Sequence, residues 1–284
     1  MQDIARKIVE IGHRLWQRGL VSGSDGNISV RLDGGRLLVT PSGVSKGFLD
    51  PDRLLEVDLD GNPLPGGDRP AASAGNTNGN LGDRPGNLGD RPAGSGGRPS
   101  SELAMHLQIY RRRPEIGAVV HAHPPVATAF ASSGQALDSC LLSEAVLLLG
   151  TVPLVPFATP STEEVPRALE PYLERCDAVL LQNHGAVTWA ADLETAWMRM
   201  ETVETTAQVL WLTRGLGGEV ALGREQVESL MRVRRQAGLS GPLIPCRIEG
   251  QPAASPPDEE ALVELVTSAV LEALGDRRRG GEGR

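Results

Sequence analysis

His121, Ala122 and His123 close the apolar run Gly117-Ala118-Val119-Val120. Side chains alternate along a strand, so two imidazoles two residues apart share one face. A third histidine, His184, stands in Val179-Leu180-Leu181-Gln182-Asn183-His184-Gly185, again where an apolar run passes into a turn, and Glu102 follows Ser100-Ser101 upstream. Three imidazoles and a carboxylate are a donor set suited to zinc in a catalytic setting. The competing reading is of ordinary strand-end histidines making hydrogen bonds. Histidine is scarce, however, with five in 284 residues, and three of the five stand beside glycine, proline or another histidine at strand ends.

The elements around these residues suggest helices packed on a sheet. Ile4, Ile8, Val9, Ile11, Leu15 and Trp16 recur at helical spacing up to Gly19. Residues 27–32 and 36–40 read as a hairpin across Asp33-Gly34-Gly35, and 54–59 as a further strand. Helical spacing resumes at Leu103, Leu107, Ile109 and Tyr110; then come a strand at 117–121, a helix near 125–132, an apolar stretch at 145–149 and a strand at 152–156. A helix at 163–174, a strand at 178–182 and a long helix from Leu193 to Arg214 complete the alternation, which gives an α/β class. Residues 65–99 are dominated by Gly, Pro, Asn, Arg, Asp and Ser, and Asn-Leu-Gly-Asp-Arg-Pro occurs twice; this is expected to be a disordered insertion.

Composition narrows the function. A chain of this length with 40% hydrophobic residues can bury a proper core. A net charge of -8 and a pI near 5.2 argue against nucleic acid as a partner and leave small metabolites. Cys140, Cys176 and Cys246 are far apart and odd in number, so neither a disulfide framework nor a thiolate zinc site is expected, and the compartment reads as reducing. No stretch has the length of a membrane span, and the N-terminus reads as an amphipathic helix, so the expected location is the cytoplasm.

Ser24-Asp25-Gly26-Asn27 and Thr40-Pro41-Ser42-Gly43 bracket the first hairpin, and with Ser100-Ser101 they offer hydroxyls and exposed backbone N–H groups to an oxyanion. Each is equally an ordinary turn, and Ser100 or Ser101 equally a helix cap. Taken in order, Gly-Asn-Ile-Ser at 26–29, Thr-Pro-Ser-Gly at 40–43, Ser-Ser-Glu at 100–102 with His106 four residues on, His-Ala-His at 121–123 and Asn-His-Gly at 183–185 resemble the class II aldolase/adducin family. The resemblance spans residues 1–240 apart from the insertion, and within the family it is strongest to the L-fuculose-phosphate aldolases.

That resemblance implies a three-layer α/β/α domain with a central, mainly antiparallel sheet, assembled as a four-fold homotetramer. It implies one Zn2+ per subunit held by His121, His123 and His184, with Glu102 as fourth ligand and, in turnover, as acid/base. Gly26, Asn27, Ser42, Gly43, Ser100 and Ser101 would hold a phosphate. The implied reaction is cleavage of a ketose 1-phosphate, such as L-fuculose 1-phosphate or L-rhamnulose 1-phosphate, to dihydroxyacetone phosphate and L-lactaldehyde. Cleavage leaves an enediolate, whose charge a Lewis acid stabilises. The only lysines, Lys7 and Lys46, carry no apolar-pocket signature, so a Schiff-base route is not expected.

His106, one helical turn after Glu102, is a candidate for orienting the carboxylate or a metal ligand, or else a satisfied core histidine. The fuculose aldolases use tyrosines of a neighbouring subunit and near the C-terminus. Here Leu142-Ser143-Glu144 occupies the first place, making Glu144 a candidate substitute, and the only tyrosines are Tyr110 and Tyr172. An L-ribulose-5-phosphate 4-epimerase is the alternative activity, although no histidine follows His184. Methylthioribulose-phosphate dehydratases of the family tend to lack the glutamate present at 102. A catalytically silent, adducin-like scaffold would have shed the ligands that this chain keeps.

Residues 241–257 read as a linker and 258–279 as an amphipathic tail helix, with Leu262, Leu265, Val266, Ala269, Val270, Ala273 and Leu274 on one face. The tail resembles the encapsulation peptides that carry enzymes into bacterial microcompartments, which would place the protein in a shell lumen with shell proteins as partners. Packing on its own tetramer is the alternative.

Overall fold

The computed structural model describes residues 2–64, 97–239 and 241–248; most of the 65–99 insertion and the whole 258–279 tail lie outside the described residues. In chain order the elements are α1 (Gln2–Gln17), β1 (Asn27–Arg31), β2 (Leu37–Val39), β3 (Leu55–Val57), α2 (Leu103–Arg112), β4 (Ala118–Ala122), α3 (Pro125–Ser132), α4 (Ser143–Leu148), β5 (Leu154–Val155), α5 (Glu164–Leu169), β6 (Ala178–Leu181), β7 (Gly185–Ala190), α6 (Leu193–Gly215) and α7 (Arg224–Gln236). The strands form one seven-stranded sheet in the order β3-β2-β1-β4-β7-β6-β5. Every pairing is antiparallel except β5 with β6.

The two-residue period of the central strands divides the core into two layers. Ala118, Val120 and Ala122 of β4, Ile28 and Val30 of β1 and Ala186 of β7 pack against α1, α3 and α6. Val119 of β4, Val179 and Leu181 of β6 and Val187 and Trp189 of β7 face α2 and α5. Ala5, Ile8, Ile11 and Leu15 line one face of α1, and α6 starts on Asp192, whose carboxylate accepts the Thr195 backbone N–H at 2.8 Å. The result is the α/β/α arrangement with a mainly antiparallel sheet expected from the sequence.

Besides strand β7 and helix α7, which the sequence reading did not include, two features of the C-terminal segment differ from it. Residues 241–248, read as linker, lie against the domain: Ile244 bridges Gly150, Arg247 bridges Ser139, and Arg247 Nε pairs with Asp138 at 3.0 Å. That segment brings Cys246 to Cys140 across 106 residues of sequence, and the two form a disulfide beside α4 and α7. The expectation of unpaired cysteines is therefore corrected, and with it goes the ground for reading a reducing compartment from them: spacing in sequence carried no trace of the fold-back that joins them. Only Cys176 is free, and it is buried. No described helix is long and apolar enough to cross a membrane.

Candidate metal centre and active site

The antiparallel register sets the centre at one end of the sheet. Asn27 of β1 pairs with His121 of β4, which pairs with Val187 of β7, and Leu181 pairs with Gly185 across the three-residue turn that carries His184. Asn183 takes the left-handed conformation that this turn requires (φ 56°), one that Asn tolerates better than most residues. Gly185 is a glycine for contact reasons: a Cβ there would lie 2.5 Å from the Ala122 carbonyl oxygen and 2.6 Å from His123 Cδ2.

The three imidazoles converge. Nε2 of His123 lies 3.1 Å from Nε2 of His121, and one ring nitrogen from each of His121, His123 and His184 falls within 4.8 Å of the others. Glu102, at the start of α2, spans two of them, with Oε2 3.2 Å from His121 Nε2 and Oε1 2.9 Å from His184 Nε2. Nδ1–H of His121 donates to the Ala186 carbonyl at 2.9 Å, which leaves the Nε2 lone pair directed at the cluster. Ring nitrogens brought this close, with one of them locked by a backbone carbonyl, fit a divalent transition-metal ion, which His121, His123 and His184 would hold.

The electrostatics agree. Burial alone would raise the Glu102 pKa, but the surroundings set by His121 and His184 hold it well below the usual carboxylate range. Burial, reinforced by His121 and His184, pushes His123 down to about 4, so its imidazole is neutral and able to ligate near pH 7. Nδ1 of His123 faces outward to Asp25 Oδ2 at 3.6 Å, and the Ser22 hydroxyl donates to that same carboxylate oxygen at 3.0 Å. Asp25 is a residue the sequence reading passed over, its only signal being its place inside the glycine turn.

A polar seam along one face of β1 holds Glu102 in place. Asn27, Ser29 and Arg31 alternate toward α2, where residues 102, 106 and 110 rise at four-residue intervals. Nδ2 of Asn27 donates to Glu102 Oε2 at 2.9 Å and to Ser100 Oγ at 3.1 Å. Ser29 Oγ lies 2.6 Å from His106 Nδ1 and 2.9 Å from the Tyr110 hydroxyl. His106 is thus a core residue of the seam; among the described residues it has no hydrogen bond to Glu102 or the three ligand histidines, and burial pushes it down to about 3.

The expected oxyanion residues gather beside the centre. Pro41 bridges Pro99, and the Ser42 N–H donates to the Arg98 carbonyl at 2.9 Å, which sets the 41–43 turn alongside Ser100 and Ser101. Gly26 and Gly43 are both left-handed (φ 69° and 71°), Ser42, Gly43 and Ser101 are exposed, and the buried Oδ1 of Asn27 has no hydrogen-bond partner. Ser100 Oγ also accepts the Glu102 backbone N–H at 3.3 Å, a turn just ahead of α2; the helix itself starts on Glu102 with no side-chain cap, so the capping role read from the sequence is not made. Glu144 lies exposed in the first turn of α4, with no described contact to the histidines of its own chain; the place expected for it is in the site of a neighbouring subunit.

Residues 6–211 match the family described as the Class II Aldolase and Adducin N-terminal domain. The chain belongs to that family. It is 33% identical over 216 residues, 74% of this chain and 87% of the relative, to the 3-oxo-tetronate 4-phosphate decarboxylase of Escherichia coli (strain K12). It is 30% identical over 210 residues to an L-fuculose phosphate aldolase of Methanococcus maripaludis, covering 74% of this chain and 97% of the relative. Among solved structures, YgbL of Escherichia coli is similar with a TM-score of 0.66 and 30% identity over 81% of this chain and 98% of that one. An L-fuculose 1-phosphate aldolase is similar with a TM-score of 0.66 and 26% identity over 83% and 97%. This class II aldolase is an enzyme with relatives named for aldol cleavage and for decarboxylation, and its three-histidine group is suited to a metal.

Proposed function

We propose that this class II aldolase is a zinc-dependent carbon–carbon lyase that forms the enediolate of dihydroxyacetone phosphate. The carrying observation is the convergence of His121, His123 and His184 with Glu102 beside turns in which Ser42, Gly43 and Ser101 are exposed. Zinc held by the three histidines supplies a Lewis acid for the enediolate charge. Gly26, Asn27, Ser42, Gly43, Ser100 and Ser101 bind the phosphate and fix which carbon faces Glu102. Glu102, steadied by Asn27, carries the proton to that carbon. A homotetramer in the cytoplasm acting on a small sugar phosphate completes the reading.

Two leaving groups satisfy that chemistry. In a 3-oxo-tetronate 4-phosphate the C1–C2 bond breaks, CO2 departs, the electron pair enters the C2–C3 enediolate, and one proton at C2 gives dihydroxyacetone phosphate. In a ketose 1-phosphate the C3–C4 bond breaks instead, and a further group must accept the C4 hydroxyl proton as the aldehyde leaves. Both tyrosines of this chain are core residues, Tyr110 at 1% and Tyr172 at 4% exposure, so no subunit has a tyrosine to offer for that step. Decarboxylation needs no such group, and it is the reading we favour; the likeness to the Methanococcus maripaludis aldolase supports the second.

The test is to incubate purified protein with 3-oxo-tetronate 4-phosphate, L-fuculose 1-phosphate and L-rhamnulose 1-phosphate, with and without chelator, and to measure dihydroxyacetone phosphate, CO2 and lactaldehyde. Chelator-sensitive CO2 release from the first supports decarboxylation, and lactaldehyde from the others supports aldol cleavage. No dihydroxyacetone phosphate from any of the three contradicts the proposal.

A further inference from the structure

Lys46 is only 2% exposed, an unusual state for an ammonium group. Its Nζ donates to the Ser24 carbonyl at 2.8 Å and to the Val44 carbonyl at 2.7 Å. Those carbonyls belong to two turns: 22–26, which carries Gly26 and leads into Asn27 of β1, and 41–45, which carries Ser42 and Gly43. The backbone beyond Lys46 is fixed by α1: His13 Nδ1 lies 3.1 Å from the Gly47 carbonyl oxygen, and the Trp16 ring lies against Gly47. Among the described residues no carboxylate comes within 4 Å of Nζ.

A buried charge is costly unless an opposite charge accompanies it, and carbonyl dipoles offset only part of that cost. Burial accordingly pushes the Lys46 ammonium down to about 8, against the opposing influence of Asp25 and Glu102. The 22–26 turn exposes Ser22, Gly23 and Ser24 and the 41–45 turn exposes Ser42 and Gly43, while Gly26 and Asn27 are buried; a dianion held at these turns would oppose the charge that both carbonyls hold. The sequence offered no apolar-pocket signature for Lys46, because the packing that buries it comes from α1.

We propose that Lys46 is the buried counter-cation of the phosphate site, joining the two turns from beneath and setting the affinity for a phosphate dianion that it does not touch. It is a positioning residue, and its role rests on the phosphate reading given above. The prediction separates charge from mere support of the turns, since Lys46→Arg keeps the charge and Lys46→Met keeps only the length.

The full-length, zinc-loaded protein is titrated with inorganic phosphate by calorimetry, and KM and kcat are measured on the phosphorylated substrate. Lys46→Met is expected to weaken phosphate binding and raise KM at least tenfold, with kcat changed less than threefold and zinc uptake unchanged, while Lys46→Arg recovers part of the affinity. A second measurement needs no variant. With two lysines in the chain, 13Cε-lysine labelling gives two NMR signals. The Lys46 signal is expected to move on phosphate addition and to saturate with the calorimetric Kd, while that of Lys7 stays. Unchanged phosphate affinity in Lys46→Met, or an unmoved Lys46 signal, overturns the inference while leaving the cradle intact. If Ser42→Ala with Ser100→Ala also binds phosphate as the wild type does, the cradle itself is wrong and the role of Lys46 falls with it.

Discussion

Acidification should destabilise the fold through His106 before it reaches the carboxylates. In the folded chain burial, reinforced by His121 and opposed by Glu102, holds this imidazole near 3, against 6.5 when exposed. Below pH 6.5 the unfolded chain therefore binds a proton that the folded chain refuses, and stability falls as pH falls, until the folded pKa is approached. At about 1.4 kcal/mol per pH unit, and allowing for partial protonation at pH 6.5, the loss between pH 6.5 and pH 4.5 is about 2 kcal/mol. His106→Asn keeps a donor within reach of the Ser29 hydroxyl but has no titrating ring, so its stability should be flatter over this interval by that amount. The assay is urea unfolding of chelator-treated wild type and variant at pH 6.5, 5.5 and 4.5, followed by circular dichroism. The comparison cancels the other histidines, which both proteins retain. Equal slopes in the two proteins would refute the claim that His106 is buried in its neutral form.

Three further outcomes follow from the same geometry. Glu102→Gln should lower kcat by about 10²- to 10⁴-fold, the usual range for a proton-transferring group, while zinc bound per chain stays near that of the wild type in metal analysis. Gly185→Ala places a methyl group 2.5 Å from the Ala122 carbonyl oxygen and 2.6 Å from the His123 ring, so it should weaken zinc binding by roughly 10- to 100-fold in a competition titration, the range found when the support of a ligand is disturbed. Burial pushes the Cys176 thiol up to about 12, so the native protein should resist a maleimide at pH 7.5; denaturation should release one reactive thiol per chain without reductant and three with it.

The centre was legible because its ligands lie at ends of strongly apolar strands, where local pattern and tertiary position coincide. His121, His123 and His184 needed only the two-residue period and the turn at Asn183. Other features depend on contacts that no local pattern records. The strand Gly185–Ala190 was missed because all six residues are buried, leaving no alternation to see. Helix Arg224–Gln236 was missed because it is polar for most of its length: it buries Arg234 and covers Val227, Leu230 and Met231 only in part. Lys46 is buried by a helix some 30 residues away in sequence, as seen in the 34-residue separation of His13 and Gly47. The Cys140–Cys246 bond depends on the fold-back of residues 241–248, which reads as linker from its prolines and glycine. His106 shows the converse case: its spacing from Glu102 suggested a contact, whereas its ring turns to Ser29 because the seam between β1 and α2 supplies a closer partner.

Zinc titration of the metal-stripped full-length protein by calorimetry tests the central claim most directly. One equivalent per chain should bind to the wild type, and replacing His121, His123 or His184 with Asn should each abolish tight binding. Failure of the wild type to take up a stoichiometric ion, or uptake indifferent to all three substitutions, would contradict the account.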